Sequence, residues 1–412
     1  MEKQKLKVLV ATTTIAQGIN FPVSTIIMAS YSYPFTDSMP TKDFWNLVGR
    51  AGRADQGSLG LVGIVVGANK NKLDEELQNL TSYLRKSTEN LVSNLVHMVN
   101  DLEKLSEDED LGKLIYHDVN WSQFLQYLAH MYNQSKELGN FQANAELFLR
   151  RTFGFSAIEP NKQKLLIKKV RKYAEKLDNN KAISRLSDNT GFSPEAINQA
   201  LRDVKHLELD SHSWSSSNIF SGSGKLKDLM GIMLTIPEIR EQMKMKNEGF
   251  TGKFLSGIIT DWVSGNSLDE ISEKHFGSSD ESTITKCCRT IYSDIVHAAS
   301  WGISSILQLP TSGIDFDKLS DEEKLDVQNL PSMIYYGVDS SEAVLMRSTN
   351  IPRSIATEMG QLYKKNNKLS NASSATAINW LAGLNDEDWN QVSKGKPLSG
   401  KEYKTIWNIL NN

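Results

Sequence analysis

The sequence predicts a short α/β segment of parallel strands followed by mostly α-helical domains, and three observations predict it. Residues 8–11, 25–29 and 61–66 are nearly continuous apolar runs, rich in Val and Ile and bounded by Gly, Pro, Ser or Asn, as in parallel strands covered on both faces. From Leu73 onward apolar residues return at helical spacing instead, as in Leu91, Leu95, Met98 and Leu102, or Phe124, Leu125, Leu128 and Met131. The chain has 412 residues, 39% of them hydrophobic and 23% charged, which suits two or three soluble globular domains.

Within the first segment, residues 43–53 lie between the second and third runs and read as a short helix. Loop signals fall at the acidic stretch 106–110, at the Ser- and Gly-dense stretch 211–224 and at 312–321. They divide the chain into an α/β part over 1–72, a helical connector over 73–155, a helix-turn-helix or winged-helix-like part over 156–212 and a helical part over 213–412.

The 46 basic and 49 acidic side chains leave a net charge of -3, so any nucleic-acid surface has to be a local patch. No apolar run reaches the roughly 18 to 20 residues that a bilayer requires. Lys3, Lys5 and Lys7 precede an apolar stretch, but Thr12, Thr13 and Thr14 interrupt it, which reads as mature protein in the cytoplasm. Cys287 and Cys288 are adjacent, which allows neither a disulfide framework nor a zinc site and suits small apolar residues on a helix. No histidine pair has metal-site spacing, so no metal-binding residue is expected.

Two stretches carry chemistry. Thr12-Thr13-Thr14-Ile15-Ala16-Gln17-Gly18-Ile19-Asn20 follows the first apolar run, where open α/β sheets place ligand-binding loops, and its hydroxyls and glycine suit a phosphate. Further on, Gly49-Arg50-Ala51-Gly52-Arg53 sets two guanidinium groups at i, i+3 with glycines that allow a close approach. Two planar, permanently charged forks aimed together suit the charge that develops on a transferring γ-phosphoryl group.

This ordered pair, with the apolar residues 24–28 between its members, resembles motifs V and VI of superfamily 2 helicases of the DEAD/DEAH type. The run Gly18-Ile19-Asn20-Phe21-Pro22 is most similar to the branch that contains archaeal repair helicases and exosome-associated RNA helicases. The resemblance implies that residues 1–72 are the C-terminal part of a second RecA-like lobe, an incomplete P-loop NTPase unit, followed by a winged helix and a helical ratchet domain. It implies that Thr12 and Thr13 touch the nucleic-acid backbone and that Gly18, Asn20, Gly49 and Gly52 line the nucleotide site. Arg50 and Arg53 would then face the γ-phosphate of ATP, bound with Mg2+. The implied partners are single-stranded DNA or RNA and an N-terminal helicase lobe, carried by a longer chain or a separate subunit; no membrane is implied. Asn46 stands where the family usually has Gln, a shorter amide with the same donor and acceptor types.

Such a helicase also has a phosphate loop with its lysine and an acidic pair for magnesium, all before motif V. Only eleven residues precede Thr12. Residues 222–226 come nearest to a relocated phosphate loop, but Ile219 stands where its first glycine belongs. Asp74-Glu75, Asp269-Glu270 and Asp386-Glu387 read as helix-surface charge. The chain alone is therefore expected to hydrolyse ATP negligibly. It reads as the C-terminal fragment or subunit of an ATP-dependent helicase or translocase, or else as a non-enzymatic nucleic-acid-binding or scaffolding protein derived from one.

In the helical remainder, residues 161–185 hold nine Lys or Arg against Glu175 and Asp178. Lys164, Lys168, Arg171, Lys172 and Lys176 recur at helical intervals, so this helix shows either a cationic track for phosphates or an ordinary solvated face. Next, Gly191 supplies a turn, Ser193 an N-cap and Pro194 a first helical position, as in a helix-turn-helix or a generic helical hairpin. Residues 284–309 form an apolar-periodic stretch comparable with the ratchet helix that family members lay across the bound strand. Arg347 and Arg353, flanking Thr349-Asn350-Ile351-Pro352, are read as exposed and able to touch a backbone.

Overall fold

The structure, a computed structural model, describes residue 10, residues 25–30, 39, 44, 47–48, 61–65, 73–89, 94–243, 250–367, 369 and 372–411. It divides into two units, Met1–His97 and Met98–Asn412.

In the first unit, strand β1 (Thr25–Met28) pairs in parallel with β2 (Leu61–Ile64), Thr25 opposite Leu61 and Met28 opposite Ile64. Helix α1 (Leu73–Glu89) supplies Tyr83 and Leu84 to a small cluster around Met28, Met39 and Phe44. The Tyr83 hydroxyl donates to the Met39 carbonyl at 2.7 Å, and its ring meets Phe44 edge to face.

The expectation of a RecA-like α/β lobe is corrected here. Among the described residues there are two strands of four residues each, and the rest of the fold is almost entirely helical. Parallel strands need cover on both faces and several neighbours. Here Ile27 is 75% exposed and Leu61 61% exposed, so one face of the pair stays bare. Of the expected strand at 8–11, only Val10 is described, without regular structure and 92% exposed.

The second unit is built from helices, several of which begin at a capping side chain. They are α2 (Val119–Ser135), α3 (Leu138–Arg150), α4 (Pro160–Asn179), α5 (Lys181–Thr190), α6 (Pro194–Lys205), α7 (Leu226–Met233), α8 (Pro237–Gln242), α9 (Gly252–Val263), α10 (Leu268–Phe276) and α11 (Glu281–Arg289). A π-helical turn, Thr290–Ile295, leads into α12 (Val296–Leu307). Then come α13 (Asp321–Tyr336), α14 (Ser341–Ser348), α15 (Arg353–Asn366), α16 (Ser374–Ala382), α17 (Asp386–Val392) and α18 (Gly400–Asn411). Ser267 with Glu270 and Ser320 with Glu323 make reciprocal capping boxes, which satisfy backbone N–H groups that the first helical turn leaves open. The three acidic pairs sit in the first turns of α1, α10 and α17, where carboxylates oppose the helix dipole.

One continuous apolar core runs from Ile183 to Trp407. Indole N–H groups bind its distant segments together: Trp214 donates to the Ser312 carbonyl, Trp262 to Ile334, Trp301 to Thr190 and Trp407 to Thr349. A buried indole combines a large apolar area with one donor that needs an acceptor, so each such bond selects one register of packing. Cys287 is buried on α11, and burial pushes its thiol up to about 11. No described helix is long and apolar enough to cross a membrane.

Candidate nucleic-acid interface

The basic stretch forms α4, which starts with Pro160 in its first turn and buries Leu166, Val170, Tyr173, Ala174 and Leu177 along one stripe. Its lysines fall largely on the remaining surface, where the acidic loop at 106–110 lies against them. Lys168 pairs with Glu107 at 2.9 Å, and Lys172 donates to the Asp108 carbonyl at 2.7 Å. Lys169 is buried and donates to the carbonyls of Ser106, Glu107 and Glu109, and this burial lowers its pKa. Lys176 bridges Asp110 and Glu195, each at 3.0 Å. Of the lysines that the sequence placed on this stripe, Lys168 and Lys172 are held by the loop. Lys164 is exposed and carries no hydrogen bond or ion pair among the described residues. The stripe is thus largely neutralised within the chain.

A second surface centres on the π-helical turn. An extra residue per turn re-aims the side chains that follow it, and such turns recur at functional sites. Ile291 and Ile295 point into the core, while Tyr292 is 51% exposed and meets Trp262 edge to face. In the first turn of α12, His297 is exposed and meets Tyr335, itself 45% exposed on the neighbouring α13. Tyr335 also contacts Tyr336, and the Arg347 guanidinium lies over the Tyr336 ring. Tyr292, His297 and Tyr335 are three exposed rings, which offer faces on which unpaired bases stack.

The reading of Arg347 and Arg353 as exposed is also corrected. Both are partly buried, and burial lowers both their pKa values. Arg353 spends its donors on the carbonyls of Gly337, Asn266 and Trp262, all at or just beyond helix C-termini. Arg347 donates to the Ile351 carbonyl. Thr12, Thr13, Gly18, Asn20, Gly49, Arg50, Gly52 and Arg53 lie outside the described residues. Among the described residues no group of three or more His, Cys, Asp and Glu side chains is arranged for a metal ion.

The chain is similar to Hachiman protein HamB of Bacillus cereus. Identity is 22% over 451 residues, and the match takes in 94% of this chain but 38% of HamB, so the chain spans about two fifths of that relative's length. No family model matches.

The aromatic surface is absent from the sequence reading because its parts come from three stretches. Tyr292 and His297 lie in one apolar-periodic run, Tyr335 and Tyr336 in another and Arg347 in a third. The available signal was aromatic residues standing off the apolar stripe of α13, whose buried positions are Val327, Leu330, Met333 and Ile334.

Proposed function

We propose that the chain is the nucleic-acid-handling part of a helicase-related protein, and that it holds single-stranded DNA or RNA against the exposed face of Tyr292, His297 and Tyr335. The observation that carries this reading is that face: three solvent-exposed rings, two from the stretch 284–309 and the third, Tyr335, from the neighbouring α13. Similarity to HamB along nearly the whole chain supports a role within a larger protein. In that role Arg50 and Arg53 serve the γ-phosphate of ATP–Mg2+, Gly18, Asn20, Gly49 and Gly52 line the nucleotide, and Thr12 and Thr13 hold the strand's backbone. The phosphate loop and acidic pair come from the rest of a longer protein or from a separate subunit.

Photo-cross-linking tests the proposal. An oligonucleotide carrying 5-iodouracil should form adducts on Tyr292 or Tyr335, and an unlabelled single strand should compete them away. Adducts confined to other surfaces, or indifferent to competitor, would contradict it.

A further inference from the structure

A cleft of about 280 Å3 opens beside the turn between α5 and α6, lined by Gln123, Gln126, Glu238, Glu241, Gln242 and Trp301. One lining residue, Glu238, has its carboxylate held in one orientation. Glu238 is 6% exposed, and its Oε1 accepts from the Ser193 N–H and from the Ser122 hydroxyl, each at 2.6 Å. Ser122 and Ser193 are themselves fully buried and hydrogen-bonded to each other. The second oxygen, Oε2, is buried and has no donor among the described residues. A buried carboxylate oxygen without a donor is costly.

The walls share one electrostatic character. Glu241 follows Glu238 at i, i+3, so both carboxylates stand on one face of α8, and three glutamine amides supply further acceptors. Neither Lys nor Arg lines the cleft. Trp301 forms one wall, its ring oriented by the hydrogen bond to the Thr190 carbonyl and by Phe192 at 5.0 Å. Gly191, at φ 78°, admits the ring: a side-chain carbon there would lie 3.3 Å from it. Two carboxylates, amide oxygens and an indole together match a planar cation with several N–H donors.

We infer that this cleft binds a guanidinium group, with Glu238 and Glu241 as its anionic partners and Trp301 as its stacking surface. The group comes either from a free guanidinium compound or from an arginine side chain of a partner protein, and binding is independent of the nucleic-acid face.

Calorimetric titration of the full chain with two probes tests this and separates the sources. Agmatine represents the free compound, N-acetylarginine amide represents the arginine of a polypeptide, and N-acetylcitrulline amide serves as the neutral isostere. Saturable binding of either guanidinium probe is expected, with the isostere at least tenfold weaker. Preference for agmatine assigns a free ligand, and preference for the arginine amide assigns a partner side chain. Glu238→Gln should weaken the preferred probe at least tenfold, and Glu241→Gln, at the exposed rim where folding is not at stake, several-fold. No saturable binding, equal binding of the isostere, or binding unaffected by Glu241→Gln would overturn the inference.

Discussion

The Arg353 guanidinium carbon lies 3.8 Å over the centre of the Trp262 ring, and the same guanidinium donates to the Trp262 carbonyl. Gly337 completes this clasp. Its φ of 67° admits few other residues, and a side-chain carbon there would meet Trp262 at 2.4 Å and the Arg353 Nε at 2.6 Å. Burial moves Arg353 down to about 10, which leaves it charged at neutral pH. Replacing it with Lys keeps the charge but loses the fork that serves three carbonyls, so Arg353→Lys should cost about 2–3 kcal/mol of stability in chemical denaturation. A change under about 0.5 kcal/mol would mean that the clasp is ornamental.

The acidic loop competes with any phosphate for α4. Glu107 holds Lys168 in an exposed pair, so Glu107→Gln should barely alter stability yet release one cation. Affinity for a single strand should rise a few-fold, and the salt dependence should steepen by up to about one unit in log–log slope. If Glu107→Gln and Lys168→Glu both leave affinity and slope unchanged, α4 takes no part in binding.

The same loop predicts an acid transition. The Lys113 ammonium and the Ser106 N–H hold Glu109 at about 2, against an ordinary 4.5, and Lys168 lowers Glu107. Folded values below the free values mean stabilisation that is complete above pH 4.5 and lost as the pH falls towards 2. Carboxyl titration by nuclear magnetic resonance should place Glu109 near 2, with amide exchange across 106–110 accelerating as it protonates. A midpoint near 4.5 for Glu109 would show the contact to be absent in solution.

The reach of the sequence varied with the range of the physics involved. Gly191 closing α5 in a left-handed conformation, Ser193 capping α6 and Pro194 in its first turn are local effects, and each was legible in the residue types. The parallel runs at 25–28 and 61–64 were legible from their apolar continuity. Their assembly into a lobe was not, since composition cannot tell whether the face with Ile27 and Leu61 finds cover. Nothing in the sequence marks Lys169 as buried, because the three carbonyls around it belong to a loop some sixty residues earlier that charge patterning alone marked as a break.

The arginine pair supports a prediction of its own. In an assembly that supplies a phosphate loop, Arg53→Lys should lower ATP turnover on the order of a thousandfold, since a fork that neutralises charge only in the transition state affects turnover and not nucleotide affinity. Steady-state hydrolysis and nucleotide binding, measured side by side, check this. Near-normal turnover in both Arg50→Lys and Arg53→Lys would remove the pair from the ATP site.

The account rests most heavily on the exposed rings. Stacking contributes about 1–3 kcal/mol per base, so the double variant Tyr292→Ala, Tyr335→Ala should weaken binding of a fluorescent single strand by about ten- to a hundredfold, with thermal stability nearly unchanged. Fluorescence anisotropy titrations of this variant and the parent chain, at matched salt, are the most direct measurement. A loss in that range with an unaltered salt slope is the expected result, because the rings carry no charge. Affinity equal to that of the parent chain would contradict the assignment of this face to nucleic acid.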